Sequence, residues 1–264
     1  MEVVMDKKER IIYDQIINGP KYFYRNIAVD SVIFGYHDKE LKVLLQRPSG
    51  FDKWLLPGGY VLKTETVEDS ATRIVRYRTK LENLFLQQFN VFSNPNRNKD
   101  ESFTPEVLSK SMGVVIEEDH WMFENFISVG FFALTEYSLV QPTGDFYMEE
   151  CCWWDINNLP VMGQDHLEII KGAIKALKLF IHHHPIGYEL LPKKFTLPEV
   201  HSLYETILDR KIDIRNFAKK LTSIDLITKL DEQRNIGAHR SPYLYMFNKD
   251  KYDQLIRDEE IIVI

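Results

Sequence analysis

The chain has 264 residues, of which 44% are hydrophobic and 27% are charged, and its net charge is −6. This composition is typical of a globular protein, and the length suits two domains. No apolar run approaches the roughly 18 residues of a membrane span, and the first residues lack the apolar centre of a secretory signal. We therefore expect a cytoplasmic protein with no membrane partner.

The first predicted element is a β-hairpin. Residues 27–48 contain two β-rich apolar stretches that are separated by the polar segment GYHDKE, which includes a glycine. Such a pattern favours two antiparallel strands joined by a turn.

Residues 58–81 read GGYVLKTETVEDSATRIVRYRTKL, and this segment resembles one half of the Nudix hydrolase signature, G-x5-E-x7-R-E-U-x-E-E-x-G-U, where U is aliphatic. Gly59, Glu65 and Arg73 stand at the signature's first glycine, first glutamate and arginine. Val67, Ala71, Ile74 and Val75 follow helical spacing, so the segment predicts a helix over residues 65–80. The resemblance then fails, because Ile74, Tyr77 and Arg78 replace three glutamates and Lys80 replaces the second glycine.

The missing glutamates decide what chemistry the segment can support. In the Nudix hydrolases that the segment resembles, these glutamates bind Mg²⁺ or Mn²⁺. Such hard cations need carboxylate oxygens as ligands. A guanidinium at position 78 repels a divalent cation. We therefore expect no catalytic residues, no metal, no cofactor and no enzymatic activity. A hydrolase with a rearranged metal site remains an alternative, and it would need Glu65, Glu149 and Glu150.

The following segments predict a layered α/β/α domain. Strands are expected at 84–92, 126–135 and 148–154, and a helix from about 165 to 182 that ends before Pro185. The long polar connection 93–125 is predicted to be an ordered flap over a pocket or a subunit contact. These alternatives stay open at the level of sequence.

The last quarter of the chain has the pattern of a winged helix-turn-helix. Thr196 and Glu199 form a capping box that opens a helix through about Leu208, and Asp213 caps a second helix. Strands are expected at 226–230 and 243–247. Residues 193–257 carry 13 Lys and Arg against 9 Asp and Glu, and this surplus favours an anionic partner.

Double-stranded DNA is the partner that this module predicts, with protein contacts as the alternative. Arginine and asparagine near the start of a recognition helix can contact base edges, while lysines further along neutralise phosphates. The candidate DNA-binding residues lie on the second helix and in the loop between the strands: Arg215, Asn216, Lys219, Lys220, Arg234, His239 and Arg240.

The chain resembles the Nudix-related transcriptional regulators over residues 23 to 250. The resemblance is carried by the broken signature together with the tail LLPKKFTLPEVHSLYETIL and its continuation RNFAKKL. The resemblance implies a Nudix-fold α/β/α sandwich with a mixed sheet, followed by a winged helix-turn-helix domain that binds operator DNA as a homodimer. It divides the chain into a sensor domain, 1–187, with an N-terminal extension 1–22, and a DNA-binding domain, 188–264.

Known members of this family respond to ADP-ribose or to pentoses. Because the acidic triplet is missing, the sequence favours a pentose sugar such as L-arabinose as the small-molecule effector. An ADP-ribose-responsive regulator and a Nudix hydrolase acting on ADP-ribose are the alternatives. The expected effector-binding residues surround the entry to the broken signature and its former metal positions: Arg47, Lys53, Trp54, Tyr77 and Arg78.

Overall fold

The first 180 residues build a mixed β-sheet with a helix on each face. The computed structural model describes residues 6–82, 84–97, 99–100, 103–140, 142, 148–235 and 241–258. The strands of this part are β1 (Phe23–His37), β2 (Glu40–Pro48), β3 (Gly58–Leu62), β4 (Phe85–Phe92), β5 (Ile127–Leu134) and β6 (Met148–Asp155). The helices are α1 (Lys7–Ile17), α2 (Gly19–Tyr22), α3 (Val67–Thr79), α4 (Pro105–Met112) and α5 (His166–Phe180).

The sheet order is β4-β5-β1-β2-β6, with β3 also paired to β1. Strand β5 runs parallel to β1, whereas the other pairs are antiparallel. Side chains alternate across β1, so Val29 packs with α3 on one face while Val32 and Phe34 pack with α5 on the other. The predicted α/β/α sandwich with a mixed sheet is confirmed.

A second, smaller sheet follows and carries the winged helix. Its order is β7-β9-β8. The elements of this part are α6 (Gly187–Leu190), β7 (Phe195–Thr196), α7 (Leu197–Leu208), α8 (Ile214–Ser223), β8 (Ile227–Gln233), β9 (Tyr243–Phe247) and α9 (Lys249–Asp258). The winged helix-turn-helix is confirmed, although the sequence predicted neither α9 nor α1. Among the residues described, none of the helices combines the length and apolarity that crossing a bilayer requires.

The two parts share one apolar core. Leu203, Tyr204 and Ile207 of α7 are buried in the same cluster as Ile169 and Leu177 of α5.

Polar contacts join the same surfaces. The Tyr36 hydroxyl donates to Ser202 Oγ at 3.0 Å, and Thr206 Oγ1 donates to the carbonyl of Lys39 at 3.2 Å. The winged helix is therefore packed and hydrogen-bonded onto the β1–β2 hairpin.

The connection 93–125 is ordered in its described residues and has a small core of its own. Leu108 and Ile116 are buried, and Phe103, Met122 and Ile16 pack against them. The indole Nε1 of Trp121 donates to the carbonyl of Ile16 at 2.7 Å. This bond fixes the end of α1 to the connection. The start of α2 packs on the same ring, since a Cβ on Gly19 would lie 2.1 Å from the Trp121 ring.

A buried arginine ties this connection to the sheet. The Nη2 of Arg97 lies 3.1 Å from Asp30 Oδ2 on β1 and 2.9 Å from Asp165 Oδ1 at the start of α5. The side chain of Arg97 is fully buried, and Ser128 Oγ donates to the same Asp30 oxygen at 2.5 Å. The guanidinium of Arg97 thus balances the negative charge of two carboxylates that are largely shielded from water.

We expect Arg97→Met to lower the free energy of unfolding by about 3–5 kcal/mol, because it leaves two buried carboxylates without their cation. Urea unfolding followed by tryptophan fluorescence measures the loss. The double variant Arg97→Met, Asp165→Asn should regain part of it.

The matched control for this prediction is Arg76→Met, which removes an exposed ion pair with Glu82. That change should cost no more than about 1 kcal/mol. Equal losses in the two single variants would show that Arg97 contributes no more than a surface pair.

A half-buried acid lies inside the winged helix. The Tyr252 hydroxyl donates a hydrogen bond to the carboxylate of Glu189 on α6. Burial raises the pKa of Glu189 to about 7, although this hydrogen bond and Lys249 both favour the charged form. The unfolded chain loses this proton near its ordinary value of 4.5, whereas the folded chain keeps it until about 7. The contribution of Glu189 to stability therefore falls as the pH rises through that window.

We expect Glu189→Gln, which cannot ionise, to avoid this loss. The free energy of unfolding of the variant, relative to the parent chain, should rise by about 2–3 kcal/mol between pH 5 and pH 8. Urea titrations at several pH values measure the difference. A difference that does not depend on pH would mean that Glu189 titrates at its ordinary value.

Candidate effector site and nucleic-acid interface

The surviving signature residues hold the loop that enters α3. Arg73 contacts both oxygens of Glu65, with Nη2 to Oε1 at 2.6 Å and Nε to Oε2 at 3.0 Å. The amide of Leu62 donates to Glu65 Oε1 at 2.9 Å. Although burial acts to raise the pKa of Glu65, these hydrogen bonds hold it below its ordinary value. Glu65 and Arg73 therefore fix the loop against the helix.

The three substituted positions on α3 are filled by the chain's own side chains. Ile74 packs against Gly59, where a Cβ would lie 3.3 Å from Ile74 Cδ1. Arg78 is 9% exposed, and its guanidinium lies over the Tyr77 ring. Within the described ranges, no cluster of three or more acids, histidines or cysteines could hold a metal ion.

The other expected effector residues lie elsewhere and already have partners. Arg47 pairs with Glu150 and donates through Nη1 to the carbonyl of Phe51 at 2.9 Å. Lys53 Nζ lies 2.6 Å from Asp100 Oδ1.

Trp54 is buried in the core that contains α5 and meets the Trp154 ring edge-on at 5.2 Å. Arg47 reaches the Trp54 ring at 5.9 Å. The structure therefore brings Arg47 and Trp54 together and, separately, Tyr77 and Arg78. It shows no contact between these two pairs among the described residues.

Sequence reasoning missed a buried polar cluster on the α5 face of the sheet. It contains Asp30, Arg97, Asp165 and His166. The amide of Leu56 donates to His166 Nδ1 at 2.7 Å, which places the ring proton on Nε2, 3.7 Å from Asp30 Oδ1. Burial lowers the pKa of His166, so the ring is neutral at physiological pH.

Two donors of Arg97, Nε and Nη1, are buried and have no hydrogen-bond partner among the described residues. The lone acid inside the apolar run IAVDSVIF was the one signal in the sequence that pointed to this cluster.

Aromatic side chains continue from this cluster to the surface. The Arg97 guanidinium lies 4.6 Å from the centre of the Phe126 ring. Tyr60 meets Phe126 edge-on at 5.7 Å and Trp121 at 4.5 Å. These rings line a recess with Arg25 and Glu124 that is too small for more than about one water molecule.

The predicted nucleic-acid interface lies on α8. Asp213 caps the helix by accepting from the amide of Asn216 at 2.8 Å, and Phe217 and Leu221 are buried against the domain. The opposite face exposes Arg215, Asn216 and Lys219, with Lys220 half-buried beside them. In the part of the chain that is described, neither Arg215 nor these two lysines forms an ion pair.

The loop between β8 and β9 holds the other three expected residues. Arg234 pairs with Glu199 and donates through Nη2 to the carbonyl of Lys194 at 3.0 Å. These contacts of the Arg234 guanidinium stabilise the start of α7. His239 and Arg240 lie outside the described residues.

Comparisons with known proteins agree with this architecture. Residues 25–173 match the NUDIX domain, and residues 187–247 match the NrtR DNA-binding winged helix domain. The chain is 22% identical over 234 residues to the ADPR responsive transcriptional repressor NtrR of Acinetobacter baylyi, which covers 86% of this chain and 84% of that protein.

Two solved structures have the same fold. The Shewanella oneidensis NrtR in complex with a 27mer DNA is 24% identical, with a TM-score of 0.66 over 87% of this chain and 96% of its own. A MutT/nudix family protein from Enterococcus faecalis is 22% identical, with a TM-score of 0.58 over 92% and 94%. This chain therefore belongs to the Nudix family, in the NrtR-type group of Nudix-related transcriptional regulators.

Proposed function

We propose that this protein is a transcription regulator that binds operator DNA as a homodimer and responds to ADP-ribose or a closely related nucleoside diphosphate. The observation that carries the DNA-binding role is the basic face of α8, which no acidic side chain of the described residues covers. A cationic helix that is free of internal partners can neutralise phosphates and read base edges. Such a role also agrees with the cytoplasmic location expected from the sequence.

The ADP-ribose alternative fits better than the pentose that the sequence favoured. The Acinetobacter baylyi relative is a repressor that responds to ADPR. The argument for a sugar rested on the loss of metal ligands. That loss removes hydrolysis but does not exclude binding of the same class of molecule.

The shared core restricts how an effector can act. We place the sensor domain at 1–187, with the extension 1–22, and the DNA-binding domain at 188–264. Because α7 is packed on α5 and bonded to the β1–β2 hairpin, each protomer should move as one unit. Two recognition helices must meet half-sites about 34 Å apart. A ligand that shifts one protomer against the other therefore changes operator affinity, and operator and effector affect each other reciprocally.

We expect Arg215→Ala to lower operator affinity by about 1–3 kcal/mol and to relax discrimination between bases, because arginine reads base edges. Lys220→Ala should weaken binding to all DNA sequences alike. It should also reduce by about one unit the slope of log affinity against log salt concentration. Fluorescence anisotropy at several salt concentrations measures both effects.

The control for both variants is Lys175→Ala, which removes an exposed lysine of the Nudix domain. It should leave operator binding unchanged. If Arg215→Ala keeps its affinity and specificity, then α8 is not the helix that reads the operator.

We expect ADP-ribose to change operator affinity while remaining intact. Labelled operator reports binding, and chromatography of the same samples reports turnover in the presence of Mg²⁺. L-Arabinose serves as the second arm. A response to arabinose alone would overturn the choice of effector, and turnover on the order of 1 per second would show an enzyme.

A further inference from the structure

One edge of the Nudix sheet is formed by an uncharged strand. In the sheet order β4-β5-β1-β2-β6, strand β4 pairs only with β5 among the described residues. Residues 83–96, which include all of β4, contain no Asp, Glu, Lys or Arg, although 27% of the chain is charged. Alternate residues of an antiparallel edge strand direct their backbone N–H and C=O groups away from the one neighbour. The outer side of β4 therefore presents backbone donors and acceptors that no other described strand uses.

The opposite edge of the same sheet carries the charges that β4 lacks. Strand β6 includes Glu149, Glu150 and Asp155. Proteins commonly place charged side chains, bulges or covering segments on an edge strand, because an exposed edge pairs with other strands. Strand β6 is thus protected from strand pairing by charge, and β4 is not.

The first half of β4 is regular. Phe85–Gln88 keep one register with β5, and the register shifts only between Gln88 and Asn90. This bulge, a common protection of an edge, follows these four residues and leaves them available for pairing. The Gln87 side chain donates through Nε2 to the carbonyl of Gln88 at 2.8 Å. A side chain of the strand itself therefore supplies a donor to this backbone acceptor.

The chemistry of this edge fits a second copy of the same strand. Antiparallel pairing about a two-fold axis brings the same residues of both copies together, and like charges would repel there. Strand β4 has no charge to repel its copy, and it offers no counter-charge to a charged partner. Its exposed polar side chains, Gln88 and Asn90, are amides with both donors and an acceptor, so they can hydrogen-bond to their own counterparts. Val91 and Ile127 add apolar surface beside the edge, at 48% and 46% exposure.

We propose that β4 is the dimer interface of this protein, in which the β4 strands of two copies pair antiparallel and join two Nudix sheets into one. Full overlap of the two strands places the two-fold axis at the centre of β4, between Gln88 and Phe89. This surface supplies the homodimer of the proposed function, on which the inference rests for its role at operator DNA. Two recognition helices need a fixed spacing there, and a continuous sheet between protomers would provide it.

The test places like charges at the centre of the interface. Gln88→Lys and Gln88→Glu should each weaken dimerisation of the full chain by at least about tenfold, because like charges that face each other across an interface repel. An equimolar mixture of the two variants should restore the dimer, since each lysine then faces a glutamate. Sedimentation velocity over a range of protein concentrations measures the fraction of dimer.

Asn158→Lys is the matched control, because it adds the same charge at an exposed amide residue that follows β6, on the opposite edge. It should leave the dimer unchanged. A parent chain that is monomeric overturns both the inference and the homodimer of the proposed function. A parent dimer that persists in both Gln88 variants overturns the inference alone, and the homodimer then forms through another surface. Monomeric variants that do not associate on mixing also overturn it.

Hydrogen exchange of the backbone amides gives a second readout. The outward amides of β4 should be protected in the dimer and should lose this protection on dilution, whereas the amides of β6 should exchange equally at both concentrations. Protection of all β4 amides in a monomeric chain would mean that another segment of the same chain covers the edge. That result overturns the proposal.

Discussion

One continuous apolar core joins the Nudix sheet to the winged helix, and the rest of the molecule depends on it. Helix α5 covers one face of the sheet, and α7 packs directly against α5. Tyr204 is fully buried at this junction, so separating the two parts would expose large apolar side chains to water. The winged helix is therefore built onto the Nudix domain, and a change in the sheet can be transmitted to α7 through this packing.

The degenerate signature shows that the loop geometry and the chemistry of a Nudix helix are separable. Glu65 and Arg73 keep the loop against α3 by a two-point ion pair and backbone hydrogen bonds. Ile74 closes the space beside Gly59 with apolar atoms. The fold needs the first set of interactions and does not need the metal-binding acids, which is why the scaffold persists where their positions have changed.

On the α5 face of the sheet, a buried ion pair fixes the long connection 93–125 to the domain. Arg97 reaches from the long connection to two carboxylates that belong to β1 and α5. A salt bridge of this kind adds little net stability against an apolar alternative, but it is expensive to break and so specifies one arrangement of the connection. With Trp121 fixing α1 to the same segment, the N-terminal helix and the connection behave as one structural layer. That layer is what brings Lys8 Nζ to within 4.3 Å of the centre of the Tyr77 ring.

The sequence by itself determined the elements whose signals are local. Two β-rich apolar stretches around the polar segment GYHDKE predicted β1 and β2. The capping residues Thr196 and Asp213 located α7 and α8, and three missing glutamates identified the altered helix. Contacts between residues far apart in the chain were decided only by the tertiary structure. Arg97 meets Asp30 across 67 positions, and Lys8 meets Tyr77 across a similar distance. Neither side chain carries a local pattern that names its partner, because the energy of such pairs depends on burial and separation in space.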